Sequence, residues 1–169
     1  ADAARTFYPD VTRINPGLTD DELYAIQQRV VAARLAAGAH VGGYKGGLVA
    51  VAPIGGVLFA EGLRERPARV VRGDYRQLLI EAEVAFEFCA SVERPLADVA
   101  AVKAAVCRLR PAVELPDAAL ADLDVLKADL PRLARALIPN DMLTRDVALG
   151  DAVPAAAVEL ARLHVKVQH

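Results

Sequence analysis

Leu78-Leu79-Ile80-Glu81-Ala82-Glu83-Val84-Ala85-Phe86-Glu87-Phe88 is the stretch on which the fold turns. Leu78, Ile80, Ala82, Val84, Phe86 and Phe88 recur at every second position, the period at which side chains share one face of a β-strand; Glu81, Glu83 and Glu87 take the opposite face. Residues two apart in a strand sit about 6.5–7 Å apart along the backbone, a gap that two flexible glutamates can close around one cation. A Glu-x-Glu pair by itself is most often a solvated face. Glu114 shifts that balance. It lies in Arg110-Pro111-Ala112-Val113-Glu114-Leu115-Pro116-Asp117, an apolar, strand-like setting in which an unpaired carboxylate is costly to bury. Three such carboxylates, with no cysteine or histidine beside them, suit a hard ion, Mg²⁺ or Mn²⁺, completed by water or substrate oxygens.

Moving toward the N-terminus, residues 40–62 are glycine-rich around Tyr44-Lys45-Gly46-Gly47 and Ile54-Gly55-Gly56-Val57-Leu58-Phe59, a pattern that predicts short strands and loops. Thr19 and Glu22 form a capping box ahead of Leu23, Ile26, Val30 and Ala33, so a helix is predicted there, ended by Gly38. Residues 1–18 read as an N-terminal arm. Toward the C-terminus, Pro95 opens a second predicted helix through Leu96, Val99, Val102 and Val106, closed by Pro111. A short strand through Val113, Glu114 and Leu115 follows. Residues 118–137 are leucine-rich and helical in period, with Pro131 marking a new first turn, and Asn140-Asp141 makes a turn. Leu163, Val165 and Val167 alternate as in a last strand over 158–168.

The bulk properties narrow the function classes. At 169 residues the chain fits one domain, 1–169, with enough length for a real core. The 20 basic and 22 acidic groups nearly cancel, so there is no basic field to hold nucleic acid or an anionic membrane surface. No apolar run approaches the roughly 20 residues that span a bilayer. Cys89 and Cys107 are too few for a disulfide framework, and small buried apolar residues are their expected state, although they could pair. His40, His164 and His169 match no ligand spacing or triad. The chain starts at Ala1 without methionine, which leaves a removed secretion signal open.

Four motifs in order, Gly43-Tyr44-Lys45-Gly46-Gly47-Leu48, Gly56-Val57-Leu58-Phe59, Glu81-Ala82-Glu83-Val84-Ala85-Phe86 and Pro111-Ala112-Val113-Glu114-Leu115-Pro116-Asp117, resemble those of the fumarylacetoacetate-hydrolase-like superfamily. The branch they resemble is that of the 2-keto-4-pentenoate hydratases and oxalocrotonate decarboxylases. The resemblance runs from about Thr19 to the chain end, through Leu137-Ile138-Pro139-Asn140 and Val147-Ala148-Leu149-Gly150. It implies a mixed α+β fold, a curved β-structure like the fumarylacetoacetase C-terminal domain with peripheral helices. It implies a divalent ion, Mg²⁺ or Mn²⁺, on Glu81, Glu83 and Glu114, with Lys45 beside the substrate's carboxylate and enol oxygens. Members of the family usually carry a longer segment after the lysine motif and further strands beyond the point matched by His169.

The activity implied is that of a lyase of aromatic catabolism, a hydratase or decarboxylase of a small 2-oxo or 2-hydroxydienoate acid gripped through its carboxylate and 2-oxygen by the ion. Hydrolysis of carbon–carbon bonds is disfavoured because its histidine motif is absent. Glu61 is read either as an acid/base group or as a solvated loop glutamate, and Asn140 either as a substrate-binding amide or as a turn asparagine bonding its own backbone. The alternative from another class is a non-catalytic relative, structural or binding a small ligand. The resemblance further implies a homo-oligomer in the cytoplasm, with a periplasmic or secreted protein as the alternative after signal removal.

Overall fold

The computed structural model describes residues 7–50, 52–164 and 166. After a short helix α1 (Val11–Ile14), α2 (Asp20–Ala36) starts on the capping box expected of it: the Thr19 N–H donates to Glu22 Oε2 at 2.7 Å and the Glu22 N–H to Thr19 Oγ1 at 3.3 Å. Gly38, at φ 96°, ends it in the left-handed region that glycine enters freely. The buried stripe is narrower than the period suggested. Leu23 and Gln27 are buried, whereas Val30 and Ala33 are exposed.

The glycine-rich segment forms a long hairpin rather than short strands and loops, β1 (Val41–Val49) paired antiparallel with β2 (Ala52–Phe59). Glycine's poor strand propensity hid it. A second sheet of five strands runs in the order β3 (Leu63–Glu65), β6 (Asp146–Leu149), β5 (Val106–Leu115), β4 (Glu81–Phe88), with β7 (Val153–Pro154) also on β5. Helix α3 (Val99–Ala105) precedes β5, and α4 (Leu123–Leu126) and α5 (Leu130–Leu137) follow it. Pro131 does sit in the first turn of α5.

Two expectations are corrected. The helix predicted from Pro95 to Pro111 spans only α3, because Val106 onward is strand, and Pro111 lies within β5. A central strand tolerates this proline because β6 ends opposite it: the Pro111 carbonyl accepts from Gly150 N–H at 2.8 Å, so its missing donor faces the place where the neighbouring strand has stopped. The strand expected over 158–168 is absent among the described residues; Leu160–Arg162 is a 3₁₀ turn, and Val165, Gln168 and His169 lie outside the described residues, as does Val167. The cysteines are also corrected. Cys89 and Cys107 are exposed and joined by a disulfide, with Cα atoms 5.1 Å apart, across the start of β5 and the exit of β4.

The hydrophobic core falls in two clusters on either side of α5. Leu23, Ile54, Ala134, Ile138 and Met142 form one, which seats the hairpin on the helices; Ala118, Leu120, Leu126, Ala136 and Leu143 form the other. Among the described residues no helix is long and apolar enough to cross a membrane.

Candidate metal centre

In an antiparallel pair, residues directly opposite share a face. The register of β4 on β5 sets Glu81 opposite Glu114 and Glu83 opposite Ala112, and β5 on β6 sets Glu114 opposite Val147. One face of the sheet therefore carries all three glutamates among small and apolar neighbours. A carboxylate atom from each of Glu81, Glu83 and Glu114 lies within 4.8 Å of the other two. Like charges directly opposite on a sheet repel, so this arrangement needs positive charge nearby. Lys45 supplies one. Its Nζ lies 2.6 Å from Glu114 Oε2 and 3.4 Å from Glu81 Oε2, brought there from β1 across the gap between the two sheets.

Glu114 is only 3 % exposed, and its Oε1 has no hydrogen-bond partner within the protein. Burial pushes its carboxyl above the usual range; Lys45 acts against that shift, and Glu81 and Glu83 add to it. Three carboxylates and one ammonium leave two negative charges when all are ionised, the charge of one divalent cation. An orphaned buried oxygen, a hard all-oxygen donor set and that charge balance together fit a divalent ion such as Mg²⁺ or Mn²⁺, which Glu81, Glu83 and Glu114 could hold.

A cavity of about 910 Å³ opens over this cluster, lined among others by Lys45, Glu83, Glu114, Glu65, Glu87 and Arg110. At its far end Arg110 is fully engaged: its Nε donates to the Gly150 carbonyl at 2.7 Å, and its terminal nitrogens bind Glu65 and Glu87. Arg110 was not singled out from the sequence, yet it lies at the period of two from Glu114 through Ala112, which places it on the same face. The lining includes neither Glu61 nor Asn140. Glu61 is half exposed, 4.0 Å from Arg34, and accepts weakly from the His40 N–H. Asn140 spends its amide on the carbonyls of Pro9 and Ala136, both at 3.0 Å.

No protein-family model matches the sequence, and no curated protein aligns with it. The fold is similar to that of solved structures of 4-oxalocrotonate decarboxylase from Pseudomonas putida G7. Against the enzyme complexed with magnesium and adipate the TM-score is 0.78 at 21 % identity; against the enzyme complexed with calcium and acetate it is 0.77, also at 21 %. Each likeness covers 91 % of this chain, and 60 % and 59 % of the respective neighbour, so the chain spans about three fifths of the length of those proteins.

Proposed function

Taking its fold as that shared with 4-oxalocrotonate decarboxylase, we propose that this chain carries the centre of a divalent-metal-dependent lyase, a decarboxylase or hydratase acting on a small 2-oxo or 2-hydroxydienoate acid. The observation that carries this reading is the convergence of Glu81, Glu83 and Glu114 around the Lys45 ammonium, with one oxygen of Glu114 left unpaired. The neighbours' magnesium and calcium complexes support the choice of ion, and a six-carbon diacid in one of them supports the choice of substrate class.

Glu81, Glu83 and Glu114 would hold Mg²⁺ or Mn²⁺, which when bound supplies a Lewis acid for the carboxylate and 2-oxygen of the acid. The chain's own contribution is geometric and electrostatic. Lys45 is partly buried, its side chain 15 % exposed, so its charge acts at the substrate oxygens with less screening than a surface lysine would have. Gly43 and Gly47, two residues to either side on the same face of β1, keep the lysine stem clear of side chains. The glutamates stay fixed because all three sit on paired strands of one sheet, Glu81 and Glu83 on β4 and Glu114 on β5.

The test is direct. Isothermal titration with Mn²⁺ is expected to give one site per chain, and Glu83→Gln to weaken it beyond the roughly tenfold to hundredfold cost of losing a supporting contact. With Mg²⁺ present, a 2-hydroxydienoate or 2-oxo diacid is expected to be consumed. Failure to bind a divalent ion at these residues removes the reading; stoichiometric binding without turnover of any such acid turns it into the non-catalytic alternative.

A further inference from the structure

The hairpin that carries Lys45 is a separate two-stranded sheet, not bonded to the strands that carry the glutamates. Such a ribbon is marginal on its own, and its register against another sheet is not fixed by strand pairing. Something else must fix where the Lys45 ammonium sits. In the register of β1 on β2, Lys45 is opposite Gly56. The backbone groups of a strand alternate between facing the partner and facing away, so the flanking Gly55 and Val57 present theirs at the free edge of β2.

All four of those edge groups are taken by side chains. Gly55 N–H donates to Tyr24 Oη at 3.2 Å, and its carbonyl accepts from Gln27 Nε2 at 2.8 Å. Val57 N–H donates to Asp141 Oδ1 at 2.7 Å, and its carbonyl accepts from Thr144 Oγ1 at 3.0 Å. Two residues of α2 and two of the 138–144 turn thus do what a third strand would do. Gln27 and Asp141 are buried. Asp141, Met142 and Leu143 run consecutively at φ 50°, 52° and 60°, a left-handed turn that costs about 1–2 kcal/mol per non-glycine residue. That turn presses on Gly56, where a Cβ would lie 3.0 Å from the Asp141 carbonyl oxygen and 3.1 Å from its Oδ1. It therefore touches β2 at the residue paired with Lys45, on the face from which the lysine emerges.

We infer that Tyr24, Gln27, Asp141 and Thr144 are positioning residues for Lys45, a side-chain clamp on Gly55 and Val57 that holds the ammonium among the carboxylates. The inference rests on the proposed role of Lys45, but its test does not need turnover. Limited acetylation with an N-hydroxysuccinimide ester, followed by site-resolved mass spectrometry, reports how far Lys45 is shielded relative to the exposed Lys127 of the same molecule.

Tyr24→Phe removes the bond to Gly55, and Thr144→Val removes the bond to Val57 together with the 3.1 Å contact to Asp141 Oδ2, each with little change of volume. Each is expected to raise the Lys45-to-Lys127 labelling ratio at least about threefold, the scale of one lost hydrogen bond. Thr144→Ser, which keeps the hydroxyl, is expected to restore the native ratio. Tyr75→Phe is the control: it breaks the buried bond to Asp146, which involves none of the four clamp side chains, and is expected to lower the melting temperature without changing the ratio. An unchanged ratio in both clamp variants, or an equal rise in Tyr75→Phe, overturns the inference. Labelling needs neither metal nor substrate, so it is read even in a protein that binds no divalent ion.

Discussion

Glu114 faces opposite demands with and without a cation. In the metal-free protein its buried charge is a liability. Its carboxyl is raised by burial, so what this group contributes to stability is fully present below the usual glutamate range and lost as pH rises through the raised value. Metal-free Glu114→Gln is therefore expected to melt above the parent at neutral pH, with the difference shrinking on acidification. Calorimetry at several pH values checks this. In the same variant Mn²⁺ affinity is expected to collapse, and in the parent to fall as pH drops, because a protonated Glu114 is no ligand. Lys45→Ala separates two roles of one charge. With its ammonium gone from 2.6 Å beside Glu114, Mn²⁺ is expected to bind more tightly, while turnover falls a hundred- to thousandfold, the scale of one lost charge-stabilising donor in the transition state. Titration and steady-state rates on the same preparation read both.

Among the elements, β4 is the edge strand opposite β3, hydrogen-bonded on one side to β5 and tied to it at one end by Cys89–Cys107. The bond closes a loop of 18 residues that includes α3, and a loop of this length contributes about 3 kcal/mol by restricting the unfolded chain. For a protein of this size that is roughly 6–12 °C in melting temperature. Cys89→Ser with Cys107→Ser, or reduction of the parent, is expected to produce that drop, read by differential scanning calorimetry. Gly150→Ala should also weaken the sheet, since a Cβ there would lie 2.7 Å from Pro111 Cγ. The alternation over 78–88 was legible because it obeys the strand period, and from it the shared face of Glu81 and Glu83. The pairing of Glu81 with Glu114 was not legible, since register depends on which strands meet. Helix period held at Val99 and Val102 but misled at Leu96, which precedes α3, and at Val106, because an apolar residue one turn on fits the start of β5 as well as a longer helix. The hairpin around Lys45 stayed hidden because glycine carries no propensity to read, and the clamp because its members are 120 residues apart in the chain at their extremes, from Tyr24 to Thr144.

At the scale of the whole molecule, charge is concentrated in polar knots that tie separate segments. Asp146 accepts from Arg64 at 2.7 Å and from the Tyr75 hydroxyl, with the Arg145 guanidinium 4.3 Å over the Tyr75 ring. Burial, aided by Asp146, pushes the Tyr75 hydroxyl up to about 12. Its contribution to stability is present below the ordinary tyrosine value near 10 and lost as pH rises through about 12. Tyrosinate absorbance is expected to show one of the four tyrosines ionising last, and that step to disappear in Tyr75→Phe.

The five-stranded sheet also turns its greasy side the unexpected way. Its carboxylate face looks onto the cavity, while Phe86 and Phe88, which reach the cavity's rim from the edge strand, and Val113, with Ile80 just ahead of β4, stay between 39 % and 70 % exposed. Such a surface governs how the isolated chain behaves in the tube. It is expected to light up anilinonaphthalene sulfonate in the native state, to be retained on a phenyl column, and to precipitate at modest ammonium sulfate, since excluded salts strengthen the association of apolar surfaces. Phe86→Ser with Phe88→Ser should blunt all three behaviours, while leaving the glutamate face free to take up Mn²⁺.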